Sequence, residues 1–397
     1  MTKSYPLKKY ADFVSEKISA KDITVLEYVT TDSILQNKQG VTVASSMPAQ
    51  NTKITKYSKS DILLGNIRPY LKKIWFANRN GGCSADVLAI RAKENINPTF
   101  LYYALFRDDF FNYVMQGSKG TKMPRGDKNQ IMGFSIPDLS KADQSNIATL
   151  LEAIDAKIEL NNLINSQLES LAKTLYDYWF VQFDFPDANG KPYKTYSGRM
   201  EYNATLNREI PEKWSVKCLY EIANITMGQS PDGESYNEDG KGSVFFQGST
   251  DFGWLFPTIR QYTTSPVRMA KQGDILLSVR APVGDMNIAG NDCCIGRGLA
   301  ALNSNSGYDG FLFYVMKYFK QVFDRRNSEG TTFGSITKED LFSLKLVYPT
   351  DEVLKRYDAI VSSYNKMIFK RSLENQQLMN LRDWLLPMLM NGQIKVI

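Results

Sequence analysis

The 397-residue sequence contains no histidine. That absence excludes Ser-His-Asp and Cys-His catalysis, imidazole general bases and histidine-ligated metals in one step. Any chemistry would fall to carboxylates, Lys or Tyr. Cysteine is scarce, with only Cys83, Cys218, Cys293 and Cys294. No pair is spaced C-x-x-C, so a zinc knuckle or thioredoxin-type site has no support. Buried thiols in a reducing compartment are the expected state, the vicinal pair Cys293-Cys294 included. Long apolar runs are missing too. Phe311–Met316 is typical of the longest, and a membrane span needs ~20 residues. The opening MTKSYPLKKYADF lacks an apolar signal-like core, so no secretory signal is expected and the chain reads as cytoplasmic. No Walker A sequence occurs, so ATP-driven translocation is not expected of this chain.

A hydrophobic content of 43% with 12% aromatics fits packed cores rather than disorder. At ~150 residues per domain the length suggests two or three domains. The net charge of +6 is unevenly spread. Residues 1–140 hold 20 Lys+Arg against 12 Asp+Glu, whereas 214–350 hold 13 against 14. The first region therefore has the charge of a polyanion-binding surface, and the second has no such support from bulk charge.

The chain repeats itself. Asp61-Ile62-Leu63-Leu64 returns as Asp274-Ile275-Leu276-Leu277, 213 residues later. Arg68-Pro69 lines up loosely with Arg280-Ala281-Pro282, Cys83–Ala89 with Cys294–Ala300, Gly120-Thr121 with Gly330-Thr331, and Ile136-Pro137 with Tyr348-Pro349. A helical block follows in each half. Apolar residues fall at Ile147, Leu151, Ile154, Ile158, Leu168, Leu171, Leu175 and Tyr178, then at Tyr357, Val361, Tyr364, Ile368, Leu378, Leu381 and Leu385. Steps of three and four mark amphipathic helices with a coiled-coil-like seam. A helix of about 32 residues would be ~48 Å long, and a single stripe cannot bury itself. The two helices are expected to pack on each other as an antiparallel pair, with packing of each on its own domain as the alternative. Pro387 is expected to break or kink the second.

The regions before the helices read as mixed and strand-rich. Strands are expected near Ile62–Leu64, Lys73–Ala77, Val87–Arg91, Ser243–Gln247 and Ile275–Val279, with one helix in each half over Phe100–Met115 and Gly310–Asp324. The segment Asp184–Lys213, rich in Pro and Gly, reads as a connector. The expected fold class is α+β: two similar mixed, strand-rich domains (1–140 and 214–350), related by a pseudo-twofold and separated by two long helices (141–182 and 351–392). A connector over 183–213 and a tail over 393–397 complete the chain.

With these residues in view, the sequence resembles the specificity subunit of type I restriction–modification systems. The resemblance rests on the D-I-L-L strand, the G-T loop and the closing Ile-Pro. It rests also on Asp143-Gln144-x-x-Ile147 leading into Leu150–Ile158, and on Tyr176–Phe180 followed by Asp184-Phe185-Pro186. It covers nearly the whole chain. The second helix is entered without the counterpart of Gln144, and the first domain opens on Tyr5-Pro6-Leu7-Lys8 rather than I-P-x-x-W. The resemblance implies a subunit that performs no chemistry. Each domain would read one half of a bipartite site in double-stranded DNA. The helices would set the gap and dock two methyltransferase subunits. S-adenosylmethionine, ATP and Mg²⁺ would belong to those partners and to a restriction motor–nuclease subunit.

Base reading needs side chains that reach groove edges: Arg for guanine, Asn and Gln for adenine, with Lys mostly on phosphates. The first-half candidates are Arg68, Lys72, Lys73, Lys119, Lys122, Arg125 and Lys128, with the loop Gly117–Lys128 foremost. In the second half they are Arg280, Arg297, Arg325, Arg326 and Lys338, with Asn327, Gln247 and Thr332 as further readers. Partner contacts are expected on Ile147, Leu151, Ile154, Ile158, Leu168, Leu175, Val361, Tyr364, Ile368, Leu378 and Leu385. Two alternatives stay open: a Mg²⁺ nuclease using Asp232, Asp239 and Lys241, and a DNA-binding scaffold without a methyltransferase partner. Asn66–Tyr70 imitates an amino-methyltransferase motif, but no glycine-rich cofactor loop precedes it.

Overall fold

The computed structural model describes residues 3–120, 122–328 and 335–396, without the side chains of 322, 323 and 325–328. The chain forms two compact units, Met1–Asn162 with Arg371–Ile397, and Leu163–Lys370.

In the first unit, an antiparallel sheet runs in the order Ala11–Phe13, Val87–Ala92, Ile62–Gly65, Ile74–Phe76. The apolar run after Asp61 does not alternate with polar residues, because both faces of its strand are covered. Ile62 and Leu64 face a core with Phe100, Leu105 and Phe110. Leu63 faces a second core with Trp75, Val29 and Tyr57, supplied partly by a second sheet. That sheet runs Lys17–Ser19, Lys53–Tyr57, Gly81–Cys83, Tyr28–Val29. Asp61 opens the repeated motif and is buried. It accepts from the Ser58 amide at 2.7 Å and from the Arg91 guanidinium at 2.8 Å on each oxygen.

The single predicted helix over Phe100–Met115 is two helices, Pro98–Phe106 and Asp108–Gln116, broken where Arg107 is extended. The Asn97 side chain caps the first by accepting from the Phe100 amide. The Asn97 amide donates in turn to the buried side chain of Gln144 at 2.8 Å. The Gln at the helix entry is thus a structural tie. Leu354 occupies the matching place in the second unit: its amide donates to Thr350 as that of Gln144 does to Ser140.

The second unit repeats the first sheet strand for strand: Ala223–Met227, Leu299–Ser304, Ile275–Ser278, Met286–Ile288. Its second sheet runs Tyr236–Asn237, Gln261–Thr263, Ser243–Phe246, Cys293–Ile295, Met269–Ala270. The parallel pair Ser243–Phe246 and Cys293–Ile295 answers the parallel pair Tyr28–Val29 and Gly81–Cys83. Asp274 answers Asp61, accepting from the Lys271 amide at 2.8 Å and the Asn303 side chain at 3.0 Å. Cys83 and Cys293 are buried, and burial pushes each thiol up to about 12. All four cysteines are free.

The segment read as a connector is folded into the second unit. Met200–Asn203 and Arg208–Pro211 pair as a hairpin. Phe183, Phe185 and Ile210 enter the core, with Phe185 stacked on Tyr193 and Trp214.

The long helices are Lys141–Tyr176, continued by a π turn over Asp177–Val181, and Asp351–Met390. The second runs three residues past Pro387 instead of ending there. In the first unit Asp155 pairs with Arg382 at 2.8 Å and Asn161 with Asn375 at 2.8 Å, so the helices run antiparallel there. In the second unit the Tyr357 hydroxyl donates to the Ala172 carbonyl at 3.3 Å, and the Tyr176 and Phe180 rings pack on Tyr357.

Candidate nucleic-acid interface

In the first unit the loop from Gly117 to Lys128 is held by its backbone. Lys119 and Arg125 exchange amide–carbonyl bonds at 3.0 Å each, and the Arg68 amide donates to Pro124 at 2.8 Å. Gly126 lets the loop close: a Cβ there would lie 2.8 Å from the Val114 side chain and 2.9 Å from that of Asn66. Arg68 and Lys72 both have left-handed backbone, with φ of 51° and 50°. Such strain in non-glycine residues persists only where surrounding bonds enforce it, as these do.

The result is a basic rim. A cleft of about 450 Å³ is lined by Asn66, Lys119, Arg125, Lys128 and their neighbours. Arg125 pairs with Asp86 at 3.0 Å and Lys119 with Asp127 at 3.4 Å. The Asp127 carboxyl is held below its usual value by the amides of Gln130 and Asn129 and by Lys119. Arg68, Lys119, Lys122, Arg125 and Lys128 are exposed. Among the described residues, Arg68, Lys122 and Lys128 make no ion pair. Lys72 is tied to Asp108 at 2.9 Å. Lys73 departs from expectation: it is only 7% exposed and donates to the Thr31 carbonyl at 2.6 Å. A buried, committed ammonium cannot reach DNA, and Lys73 leaves the set.

In the second unit Arg280, Arg297 and Lys338 are exposed. Arg280 bridges Ser335 through its backbone, as Ile67 bridges Arg125. Arg280 is therefore in register with Ile67 rather than Arg68. The Arg297 guanidinium reaches the Ser230 hydroxyl at 3.4 Å, and the Gln247 amide donates to the same hydroxyl at 2.9 Å. Lys338 lies over the Phe342 ring at 4.9 Å. The side chains of Arg325, Arg326 and Asn327 lie outside the described residues, as do Thr332 and the Gly330-Thr331 loop. A cleft of about 460 Å³ is lined by Gln247, Ser249, Thr250, Ser278 and Arg280. Arg280 and Gln247 are on this rim as expected, while Ser249, Thr250 and Ser278 carry no charge to mark them in the sequence.

The predicted helical contact residues need correction as an outward-facing set. Ile147, Leu151, Ile154, Val361 and Ile368 are buried in the chain's own cores or helix packing. Ile158, Leu168, Leu175, Tyr364, Leu378 and Leu385 are half-buried. Leu171 and Leu381, read as part of the seam, are instead 55% and 43% exposed.

The carboxylates of the nuclease reading serve local turns. Asp232 accepts from the Glu234 amide at 3.1 Å, and Asp239 pairs with exposed Lys241 at 3.5 Å.

Comparison with known proteins agrees with this duplicated architecture. The model of the type I restriction modification DNA specificity domain matches residues 7–170 and again 211–376. The MjaX specificity subunit of Methanocaldococcus jannaschii is 33% identical over 78% of this chain and 72% of its own. The HindI type I restriction enzyme specificity subunit of Haemophilus influenzae is 23% identical over 99% of both. In fold, the chain is similar to the type I restriction–modification S subunit from M. genitalium, with a TM-score of 0.59 at 17% identity over 98% of this chain and 96% of that one. With one domain matched twice across most of its length, the chain belongs to the type I restriction–modification DNA specificity family.

Proposed function

We propose that this chain is the DNA-reading subunit of a type I restriction–modification complex and performs no catalytic step itself. The observation that carries the reading is the duplication: two units with one sheet order, each with a cleft rimmed by exposed Arg and polar side chains. Residues 1–140 and 214–350 each read one half of an asymmetric bipartite duplex site. Phosphate contacts fall to Lys119, Lys122 and Lys128 in the first unit and to Lys338 in the second. Arg side chains at the clefts supply base contacts.

Methylation and cleavage belong to partners: two methyltransferase subunits that bind S-adenosylmethionine, and a motor–nuclease that uses ATP and Mg²⁺. Their docking surface is assigned to the apolar side chains that the long helices leave exposed. These are Leu160, Leu373, Leu381 and Trp384 in the first unit, and Leu163, Leu171, Ile360 and Met367 in the second. Among the described residues no helix is long and apolar enough to cross a membrane, and the cytoplasm, where the DNA lies, is the proposed place of action.

The test is base-modification sequencing of DNA from cells expressing this chain with its neighbouring methyltransferase subunit. A new methylated motif of two short halves around a fixed unread gap is expected. A folded, present methyltransferase that adds no new motif would sink the reading and leave a DNA-binding scaffold.

A further inference from the structure

The duplicated fold locates a second feature besides the basic loop. In the first unit a cleft of about 360 Å³ is lined by Thr30, Thr31, Asp32, Arg68 and Asp86 among others. Backbone bonds show that it is the counterpart of the Gln247–Arg280 cleft. The Ser84 amide donates to Val29 at 2.9 Å, and the Gly296 amide to Phe246 at 2.9 Å. The Asn66 amide donates to Asp86 at 2.9 Å, and the Val279 amide to Gly298 at 2.9 Å. Ile67 and Arg280 make the matching bridges to the following loop. By this register Thr30 answers Gln247, Asp32 answers Ser249, and Asp86 answers Gly298.

The scaffold is held constant and the side chains on it are exchanged. Two readers of different half-sites need that combination: one place to receive a base edge, and different hydrogen-bonding groups in it. The groups present fit the task. Asp32 is an exposed carboxylate in the basic half of the chain, where it opposes phosphate binding. A carboxylate at a groove edge accepts from the amino group of cytosine. Gln247 is exposed and oriented by Ser230, and glutamine makes a paired contact to adenine. Glycines pack closely against Gln247: a Cβ on Gly298 would lie 2.7 Å from the Gln247 carbonyl oxygen, and one on Gly296 2.9 Å from its Cα.

We propose that base edges are read in these two equivalent clefts, with Asp32 selecting a cytosine in one half-site and Gln247 an adenine in the other. This rests on the proposed function. The test measures binding of the full chain, with its methyltransferase subunit, to duplexes carrying the parental motif and every single-base-pair change of it. Asp32→Ala should lose roughly tenfold discrimination at one position of one half. Asp32→Asn, nearly the same size, should shift preference at that same position. Gln247→Ala should relax one position of the other half only. Unchanged preferences in all three variants would overturn the proposal, as would uniform weakening at every sequence or equal changes in both halves. A parent complex with no bipartite motif would instead sink the underlying function, so the two failures are distinguishable.

Discussion

Asp61 and Asp274 occupy the same place in two copies of one sheet, yet they are held differently. Both accept from the amide three residues earlier and so fix the turn into the central strand. Across the sheet Asp61 meets the Arg91 guanidinium, while Asp274 meets the neutral side chain of Asn303. The shared bond shows why the motif is written twice: it is a turn device required by the fold. The unshared bond shows how far the surroundings drift once the turn is secure. The clefts follow the same rule, with matching backbone bonds beneath different side chains.

The largest effect should separate the two aspartates. Asp61→Ala removes a buried acceptor from three donor contacts, two of them charged, and should cost about 2–4 kcal/mol. Asp274→Ala removes weaker neutral contacts and should cost about 1–2 kcal/mol. Hydrogen exchange of Ile62–Gly65 and Ile275–Ser278 reads the two units separately, which a single melting curve would not. Equal losses of protection would erase the distinction.

A comparable effect is expected in the helix pair of the first unit. Asn161 and Asn375 are 1% and 5% exposed and hydrogen-bonded to each other. Asn375 also donates to the Asn162 side chain at 2.8 Å. Asn375→Ala should cost about 1–3 kcal/mol by leaving buried amide groups unsatisfied. A double Leu replacement should recover stability but lose the register that a buried polar pair specifies. Distances between spin labels on the two helices should then broaden, and a single sharp distance would count against the role.

Lys122 and Lys73 form a smaller contrast, within one unit. Lys122→Ala should weaken binding to all sequences alike and lower the salt slope of log affinity by about 1. Lys73→Met should leave the salt slope unchanged, since its amine is bound to Thr31. A salt slope altered by the Lys73 change would restore it as a phosphate contact.

The smallest effect concerns the second unit alone. Burial raises the Asp358 carboxyl above its usual value, against a lowering by the Gly310 amide. A raised folded value means that the charged form destabilises the fold. Stability should therefore fall as pH rises from about 4, the unfolded value, through the folded value. Asp358→Asn should flatten that decline by a few tenths of a kcal/mol. Denaturant midpoints at pH 4 and pH 8 check it, and an unchanged pH dependence would show that the charge is well solvated.

Much of this fold could be read from the chain. The apolar runs of the repeat are bounded by Gly, Pro and Asn, and their strands lie within a residue or two of expectation. The long helices announced themselves by spacing. What stayed hidden depends on contacts distant in sequence. Lys73 looks like a surface cation until Thr31, 42 residues away, covers it. Leu171 keeps helical step with Leu168 and Leu175 yet faces outward, because the second unit's core decides which side is buried. The Pro- and Gly-rich segment after Asp184 has loop composition, but Phe185 finds two aromatic partners there. At the interface, charge marked the loop around Lys122. Asp32 has the wrong sign of charge to mark a DNA contact, and its place follows only from the hydrogen bonds that the two units share.

The central claim is that two equivalent readers recognise two different half-sites. The most direct measurement is to replace residues 1–140 with the corresponding region of another specificity subunit and map methylated bases in cells expressing the same methyltransferase. The account predicts that one half of the motif changes while the other half is unchanged. A motif changed in both halves, or in neither, would contradict it.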